Sequence, residues 1–395
     1  MRFERIPLAA AAAGISTFLN LYTPQAVLPS LAATFGVLLA RTGPTTTASL
    51  LAVALVAPFA GAISDVFGRK RLIVGAAALV TVPTVLVALS PTLEAMLLWR
   101  FVQGLLLPFI FAVTVAYIGE ECEGAAAIRA AGVYSSGAIL GGFGGRFVAG
   151  IAAEFGGWRL GFLAAAALTG IAAVAVAILL PTERKFRPVR GGVRAMLRGW
   201  GEHVHNRTLW GVCAVGFGML FSVVATFTYV NFRLSAPPFG LSPGALGSVF
   251  TVYLVGVVTT PLSSRLAVAI GRRRTAAVAT AVAIAGELCT LLPALPAVVF
   301  GLALASAGLF VAQALALGFI GIAAPRARSS AVGIYVSTYY VGGALGGVLP
   351  GGLWHRFGWP GCVALACAMI LAMGAAALAT FREPAAPTPG RSVAG

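Results

Sequence analysis

Charge in this chain is confined to short turns that separate long apolar runs. Between one apolar run at 48–60 and another at 72–82 lies the stretch from Gly61 to Ile73, which holds Asp65 and three consecutive bases, Arg69, Lys70 and Arg71. A turn this short and this charged joins two helices that leave a membrane and re-enter it on the same side. The pattern continues along all 395 residues. Of these, 59% are hydrophobic and 10% charged, against roughly 25% charged in soluble domains, and mean hydropathy is +0.96. A bilayer core takes about 20 apolar residues per helix, and a chain of many such runs must satisfy its backbone polar groups within helices. The fold class is therefore an all-α, multi-pass membrane protein.

Twelve spans are expected, at about 8–29, 44–63, 71–90, 93–118, 125–153, 157–181, 207–231, 241–263, 274–292, 295–321, 328–354 and 357–380. The first apolar run continues too far for a signal peptide and reads as a retained span. The long polar segment falls between Pro181 and Asn206. It divides the chain into a six-helix half at 1–181, a linker at 182–206 and a second half at 207–381, followed by a Pro- and Ala-rich tail at 382–395 that is expected to be disordered. Of the 27 basic residues, 21 fall in the termini, the linker and the alternate loops that share their side. Arg41, Arg159, Arg233 and Arg356 fall opposite, and Arg100 and Arg146 lie within spans. The positive-inside rule then places both termini in the cytoplasm. The net charge of +16 is distributed over turns and not along one face, which argues against a nucleic-acid partner. Cys122, Cys213, Cys289, Cys362 and Cys367 form no metal-type spacing and read as packing residues.

The halves repeat. Gly68-Arg-Lys-Arg71 returns as Gly271-Arg-Arg-Arg274, and Gly132-Val-Tyr-Ser-Ser136 as Gly333-Ile-Tyr-Val-Ser337. Gly141, Gly142, Gly145 and Trp158 return 201 residues later as Gly342, Gly343, Gly346 and Trp359. The G-x-x-x-D-x-x-G-R-K-R pattern at 61–71 resembles the signature of the major facilitator superfamily between its second and third helices. Arg100-Phe-Val-Gln-Gly104 resembles the R-x-x-Q-G motif of the proton-driven members. The glycine-rich span five resembles the antiporter motif, with Gly145-Arg146 where that motif has Gly-Pro; a GG-x-x-GR version is similar to arabinose-efflux-like permeases. The resemblance covers about residues 5–380. It implies two parallel six-helix halves in pseudo-symmetry, which rock about a midplane site.

Candidate residues follow from polarity inside the spans. The resemblance implies that spans one, four, seven and ten line a central cavity, so Asn20, Tyr22, Gln25, Arg100, Gln103, Tyr229, Asn231 and Gln313 are candidates to bind substrate, with Thr226 beside them and Tyr134, Tyr335, Tyr339 and Tyr340 in spans five and eleven. Aromatics with a few amides suit an amphipathic organic molecule. Ionisable groups inside a membrane are functional candidates by default. Asp65, Arg69, Arg100, Arg146 and Glu287 are therefore candidates for coupling or gating. Arg100 and Arg146 each fall about seven residues from the outer end of their span, roughly 10 Å below the outer surface at about 1.5 Å per residue, and two cations at one depth need a negative partner: Glu94, Glu154, Glu287 or the substrate. Two glycine stripes, Gly137 to Gly145 and Gly342 to Gly347, are expected to form a sliding interface.

No G-x-x-x-x-G-K-[ST] loop is present, and no nucleophile–base or metal constellation suggests an enzyme. The expected function is secondary active transport without a cofactor: proton-linked export of a small organic compound, an antiport, from a bacterial inner membrane. Its expected partners are the substrate and membrane lipid, and its expected state is a monomer. The alternatives are a carrier of a small organic anion bound by buried arginines, and a non-transporting sensor on the same fold.

Overall fold

The computed structural model describes residues 2–184, 186 and 200–381. Residues 187–199 of the expected linker and the tail at 382–395 lie outside them. Twelve helical rods can be followed among the described residues. The first is α1 (Arg2–Tyr22), prolonged by a 3₁₀ turn at Thr23–Val27 and a short helix at Leu28–Phe35. Next come α2 (Pro44–Phe67), α3 (Arg69–Leu79, continued as Thr81–Ala88) and α4 (Leu93–Glu121). Then Gly124–Leu179 runs as one helix of 56 residues, bent into α5 (124–155) and α6 (158–179). The second set is α7 (Arg207–Ser235), α8 (Pro243–Val249, a 3₁₀ turn at Phe250–Leu254, then Val255–Ile270), α9 (Arg272–Cys289), α10 (Leu295–Ala323) and α11 (Arg328–Val348). The last, α12 (359–380), is the far limb of Pro350–Thr380. Among the described residues, nine helical stretches are long and apolar enough to cross a membrane.

The bends explain how twelve spans come from fewer continuous helices. Gly157 has φ +68° and Gly358 has φ +62°, a conformation that costs residues with a Cβ about 1 kcal/mol or more. Each glycine turns the chain back at the same point of its half. The tryptophan that follows anchors each turn. Trp158 Nε1 donates to Thr34 Oγ1 at 3.0 Å, and Trp359 Nε1 to the Thr290 carbonyl at 3.2 Å.

In lipid no hydrophobic force draws helices together, so close backbone packing must hold the bundle. The glycine stripes supply it, though not as a sliding seam. A Cβ on Gly137, Gly141 or Gly145 would stand 2.4–2.5 Å from the carbonyl oxygens of Ala11, Ile15 and Leu19 on α1. One on Gly342 or Gly346 would stand 2.3 Å from those of Phe217 and Phe221 on α7. These stripes clamp α5 to α1 and α11 to α7 within each set of six. Only Gly347, against Gly43 just before α2 and Thr47 within it, and Gly343, against Leu220 and Leu50, reach across. The expectation of a sliding stripe is therefore corrected for most of its residues, because the interdigitated backbones leave no room to slide.

The two sets of six meet along two seams. On the first, α2 packs on α11: Thr47 Oγ1 donates to the Ala344 carbonyl and Ser337 Oγ to the Ala54 carbonyl, each at 2.8 Å. On the second, α5 meets α8 only near one end, through Gly150 against Pro243 and Gly247. That end carries Glu154 and is called the Glu154 face; the opposite end carries Arg69. At the Arg69 face the Trp200 ring lies tilted against Phe59 of α2, 6.1 Å between centroids, and His203 Nε2 lies 3.2 Å from the Ala327 carbonyl.

Candidate functional site

Between the two sets of six lies a cavity of about 370 Å³, within the ~300–1,000 Å³ usual for small-molecule sites. Its walls come from α1, α5, α7, α8, α10 and α11. Seven aromatic rings line it: Phe18, Tyr22, Tyr134, Phe143, Tyr253, Phe310 and Tyr339. Along α5 the lining runs from Tyr134 to Arg146, about 18 Å at 1.5 Å per residue. Arg146 stands at the end nearer the Glu154 face and is buried, whereas Ser135, Thr260 and Leu317, toward the Arg69 face, are exposed. The cavity is thus closed beyond Arg146 and opens away from it.

The local helix geometry explains the surroundings of Arg146. A 3₁₀ helix has three residues per turn, so side chains at i and i+3 eclipse. In the 3₁₀ turn of α8, Phe250 and Tyr253 therefore stand on one line, and their ring centroids lie 4.6 and 4.5 Å from the Arg146 guanidinium carbon. Where α1 passes into its 3₁₀ extension, Tyr22 and Gln25, three residues apart, both reach the same guanidinium. The Tyr22 centroid is 4.3 Å from that carbon, and Gln25 Oε1 accepts from Arg146 Nε at 2.7 Å. Nη1 donates to the Gly142 carbonyl at 2.6 Å. Nη2 has no protein partner, nor has the Tyr253 hydroxyl. Gln25 Nε2 goes on to Thr228 Oγ1 of α7 at 3.2 Å, so the cluster bridges both sets of six.

Of the residues singled out from sequence, Tyr22, Tyr134, Gly142, Arg146, Gln313 and Tyr339 line the cavity, and Gln25 supports Arg146. Gln313 Nε2 donates to the Tyr339 hydroxyl at 3.0 Å. Arg100, Gln103 and Asn20 do not reach the cavity, and α4 contributes nothing to its lining. Arg100 is wholly buried, and its donors go to the carbonyls of Thr45 (2.9 Å), Asn20 (2.7 Å) and Leu21 (2.7 Å) and to Gln103 Oε1 (2.7 Å). Gln103 Nε2 donates to Thr84 Oγ1 at 2.7 Å, Thr84 Oγ1 to Asn20 Oδ1 at 2.7 Å, and Asn20 Nδ2 to Thr169 Oγ1 at 2.8 Å. This network binds α1, α2, α3, α4 and α6 into one unit, because a guanidinium in lipid-like surroundings takes every acceptor within reach. Tyr229 donates to the Gly347 carbonyl at 3.2 Å and Asn231 to the Phe227 carbonyl at 2.6 Å; both also lie off the cavity. The aromatic residues of the candidate site missed from sequence are Phe18, Phe143, Tyr253 and Phe310 in the lining and Phe250 against Arg146. Two aromatics three apart in span eight were the available signal.

The acids take separate places. Glu154, eight residues beyond Arg146 on α5, accepts from the Gly244 amide at 2.8 Å and from the Ser242 hydroxyl, at the start of α8. A carboxylate there complements the helix N-terminus and ties α5 to α8 at the closed end. Glu287 of α9 is fully buried; its Oε1 accepts from Thr226 of α7 at 2.5 Å, and its Oε2 has no partner. Glu94 is exposed. None of the three pairs with either buried arginine. At the other face Arg69 is buried between two carboxylates, 2.5 Å from Asp65 and 2.6 Å from Glu120. It also donates to the Gly61 carbonyl at 3.1 Å and to Ser64 Oγ, which joins the ends of α2, α3 and α4.

A bundle of twelve apolar helices, built as two repeated sets of six around a polar-ended cavity, defines a membrane transporter. The family model described as Major Facilitator Superfamily matches residues 10–237 and again 234–394, and the chain belongs to that superfamily. The "Inner membrane transport protein YnfM" of Escherichia coli is 32% identical over 94% of this chain and 89% of its own. The "Uncharacterized MFS-type transporter YybF" of Bacillus subtilis is 30% identical over 93% and 91%. The nucleoside transporter NupG superposes with a TM-score of 0.76 over 95% of this chain and 100% of its own, at 14% identity, a likeness of fold. Proteins of this family are transporters and not enzymes.

Proposed function

We propose that this chain is a proton-linked exporter of a small organic compound, working by alternating access in a bacterial inner membrane with both termini in the cytoplasm. The observation that carries this reading is the one-ended cavity between the two sets of six helices. Backbone contacts between α5 and α8 close it at the Glu154 face, while its opposite end is exposed. Rocking one set against the other would exchange the closed end for the open one. The basic loops are on the open side, which the positive-inside rule makes cytoplasmic; on this reading the open end of the cavity faces the cytoplasm.

The carboxyl group we assign to the proton is that of Glu287. It lies within the bundle, away from the cavity, and one of its oxygens has no donor. Its partner Thr226 sits on α7, and Val223, three residues earlier on that helix, lines the cavity. Gain or loss of a proton at Glu287 changes the Thr226 bond and so acts on a cavity wall. The test begins with a thermal-shift screen of purified protein against drugs, sugars and carboxylates. The hit is then added to proteoliposomes holding a trapped pH-sensitive dye. Proton movement that needs both the ligand and Glu287 is expected, and Glu287→Gln should keep substrate exchange while losing proton movement. Ligand transport with no proton movement in the parent protein would overturn the coupling.

A further inference from the structure

Resting on the transport reading just given, we infer that the substrate is an amphipathic organic monoanion whose carboxylate is received by Arg146 and Tyr253 together. Arg146 is the charged residue among those that line the cavity. It is about 1% exposed, and its charge meets no carboxylate of the described residues. Two of its three nitrogens are occupied by Gln25 and the Gly142 carbonyl. The third, Nη2, has no acceptor, and the hydroxyl of Tyr253, whose ring stacks on the same guanidinium, also lacks a partner. Two donors without acceptors at the closed end of a cavity are costly unless something fills the place. A carboxylate supplies two acceptor oxygens and the missing charge, and charge-assisted bonds of this kind are the strong ones.

The same geometry sets the rest of the ligand. Only one guanidinium arm lacks a partner, so one negative charge is matched and a second would be buried without a partner. Tyr22, Phe250 and Tyr253 box the guanidinium on its faces. Cation–π contact keeps the charge in place between turnovers, and the box fixes the direction in which Nη2 points. Beyond it the walls are apolar and aromatic up to the Gln313–Tyr339 pair. A ring or short hydrocarbon body therefore lies along the cavity, away from the carboxylate. A sugar, with hydroxyls on every side, would leave most of them unbonded here.

Binding can be measured on detergent-purified protein without any transport. The probes are monocarboxylates with aromatic or short aliphatic bodies, benzoate to naphthoate and butyrate to decanoate, each paired with its own carboxamide, titrated calorimetrically at millimolar concentration. The acids with bodies that fit should bind at least tenfold tighter than their amides, about 1.4 kcal/mol. Arg146→Gln should erase that preference and leave the amide affinity as it was. Tyr253→Phe keeps the ring box and the fold, and should weaken the acid several-fold without touching the amide. Equal affinity for acid and amide, failure of every acid to bind, or a preference that survives Arg146→Gln would overturn the monoanion. Acids that bind as described but never cross a proteoliposome membrane would instead overturn the transport reading and leave the anion site standing.

Discussion

Two glycines on one helix should respond oppositely to the same added methyl group. A Cβ on Gly141 would stand 2.5 Å from the Ile15 carbonyl oxygen and 2.7 Å from its Cα, on α1. A Cβ on Gly150 would stand 2.5 Å from the Pro243 carbonyl oxygen and 3.1 Å from Gly247 Cα, on α8. Overpacking of this degree costs roughly 1–3 kcal/mol. At Gly141 the obstacle belongs to the same set of six, so no rocking motion relieves it, and Gly141→Ala should lower thermal stability by that amount. At Gly150 the obstacle belongs to the other set. The strain is relieved by opening the Glu154 face, so Gly150→Ala should shift the conformational balance by about 5- to 150-fold at 1.4 kcal/mol per factor of ten. Spin labels at Phe155 and Ala245, in a background without the five native cysteines, would report the distance across this face. We expect Gly150→Ala to lengthen that distance at nearly unchanged unfolding temperature. Gly141→Ala should lower the unfolding temperature and leave the distance as it is. Equal distance distributions in the parent protein and Gly150→Ala, or an equal shift in both variants, would refute the assignment of the α5–α8 seam as the gate.

Two further outcomes follow from the buried charges. Asp65→Asn removes one of the two carboxylates that hold Arg69 and frees the joint between α2, α3 and α4. Folding should be intact and turnover in proteoliposomes severely cut, and normal turnover of a well-expressed variant would count against a latch. Arg100→Ala leaves the carbonyls of Thr45, Asn20 and Leu21 without their donor inside the bundle, a loss on the order of several kcal/mol. It should appear as a lowered unfolding temperature, with ligand affinity unchanged in the protein that remains folded; Arg100→Lys recovers the charge but not the planar fork and should fall between.

Much of the architecture was legible along the chain. Apolar length predicts the spans, and the 201-residue spacing of Gly141, Gly142, Gly145 and Trp158 from their counterparts carries into geometry. Gly141 and Gly342 press on α1 and α7 in the same way, and Gly157 and Gly358 bend the chain at matching points. The candidate site was only partly legible. Polarity within a span marked both Arg100 and Arg146, and nothing in the sequence separates their roles, since each is one arginine in an apolar run. Their neighbours separate them: carbonyls and Gln103 take up every arm of Arg100, whereas Arg146, which lines a cavity, keeps one buried arm without a partner.

The sequence by itself determined a helical membrane protein with a repeated half and a charged joint at 61–71. Span length, backbone hydrogen bonding and glycine spacing are local quantities, and a lipid solvent enforces them residue by residue. Which face of α5 meets α8 was decided by tertiary packing alone, as was the gathering of Phe250, Tyr253, Tyr22 and Gln25 around one guanidinium. The same packing left Arg146 Nη2, the Tyr253 hydroxyl and Glu287 Oε2 without partners. Partners for those atoms would have to come from helices far apart in the chain, and only the packing of both sets of six decides which acceptors arrive within about 3 Å of each donor.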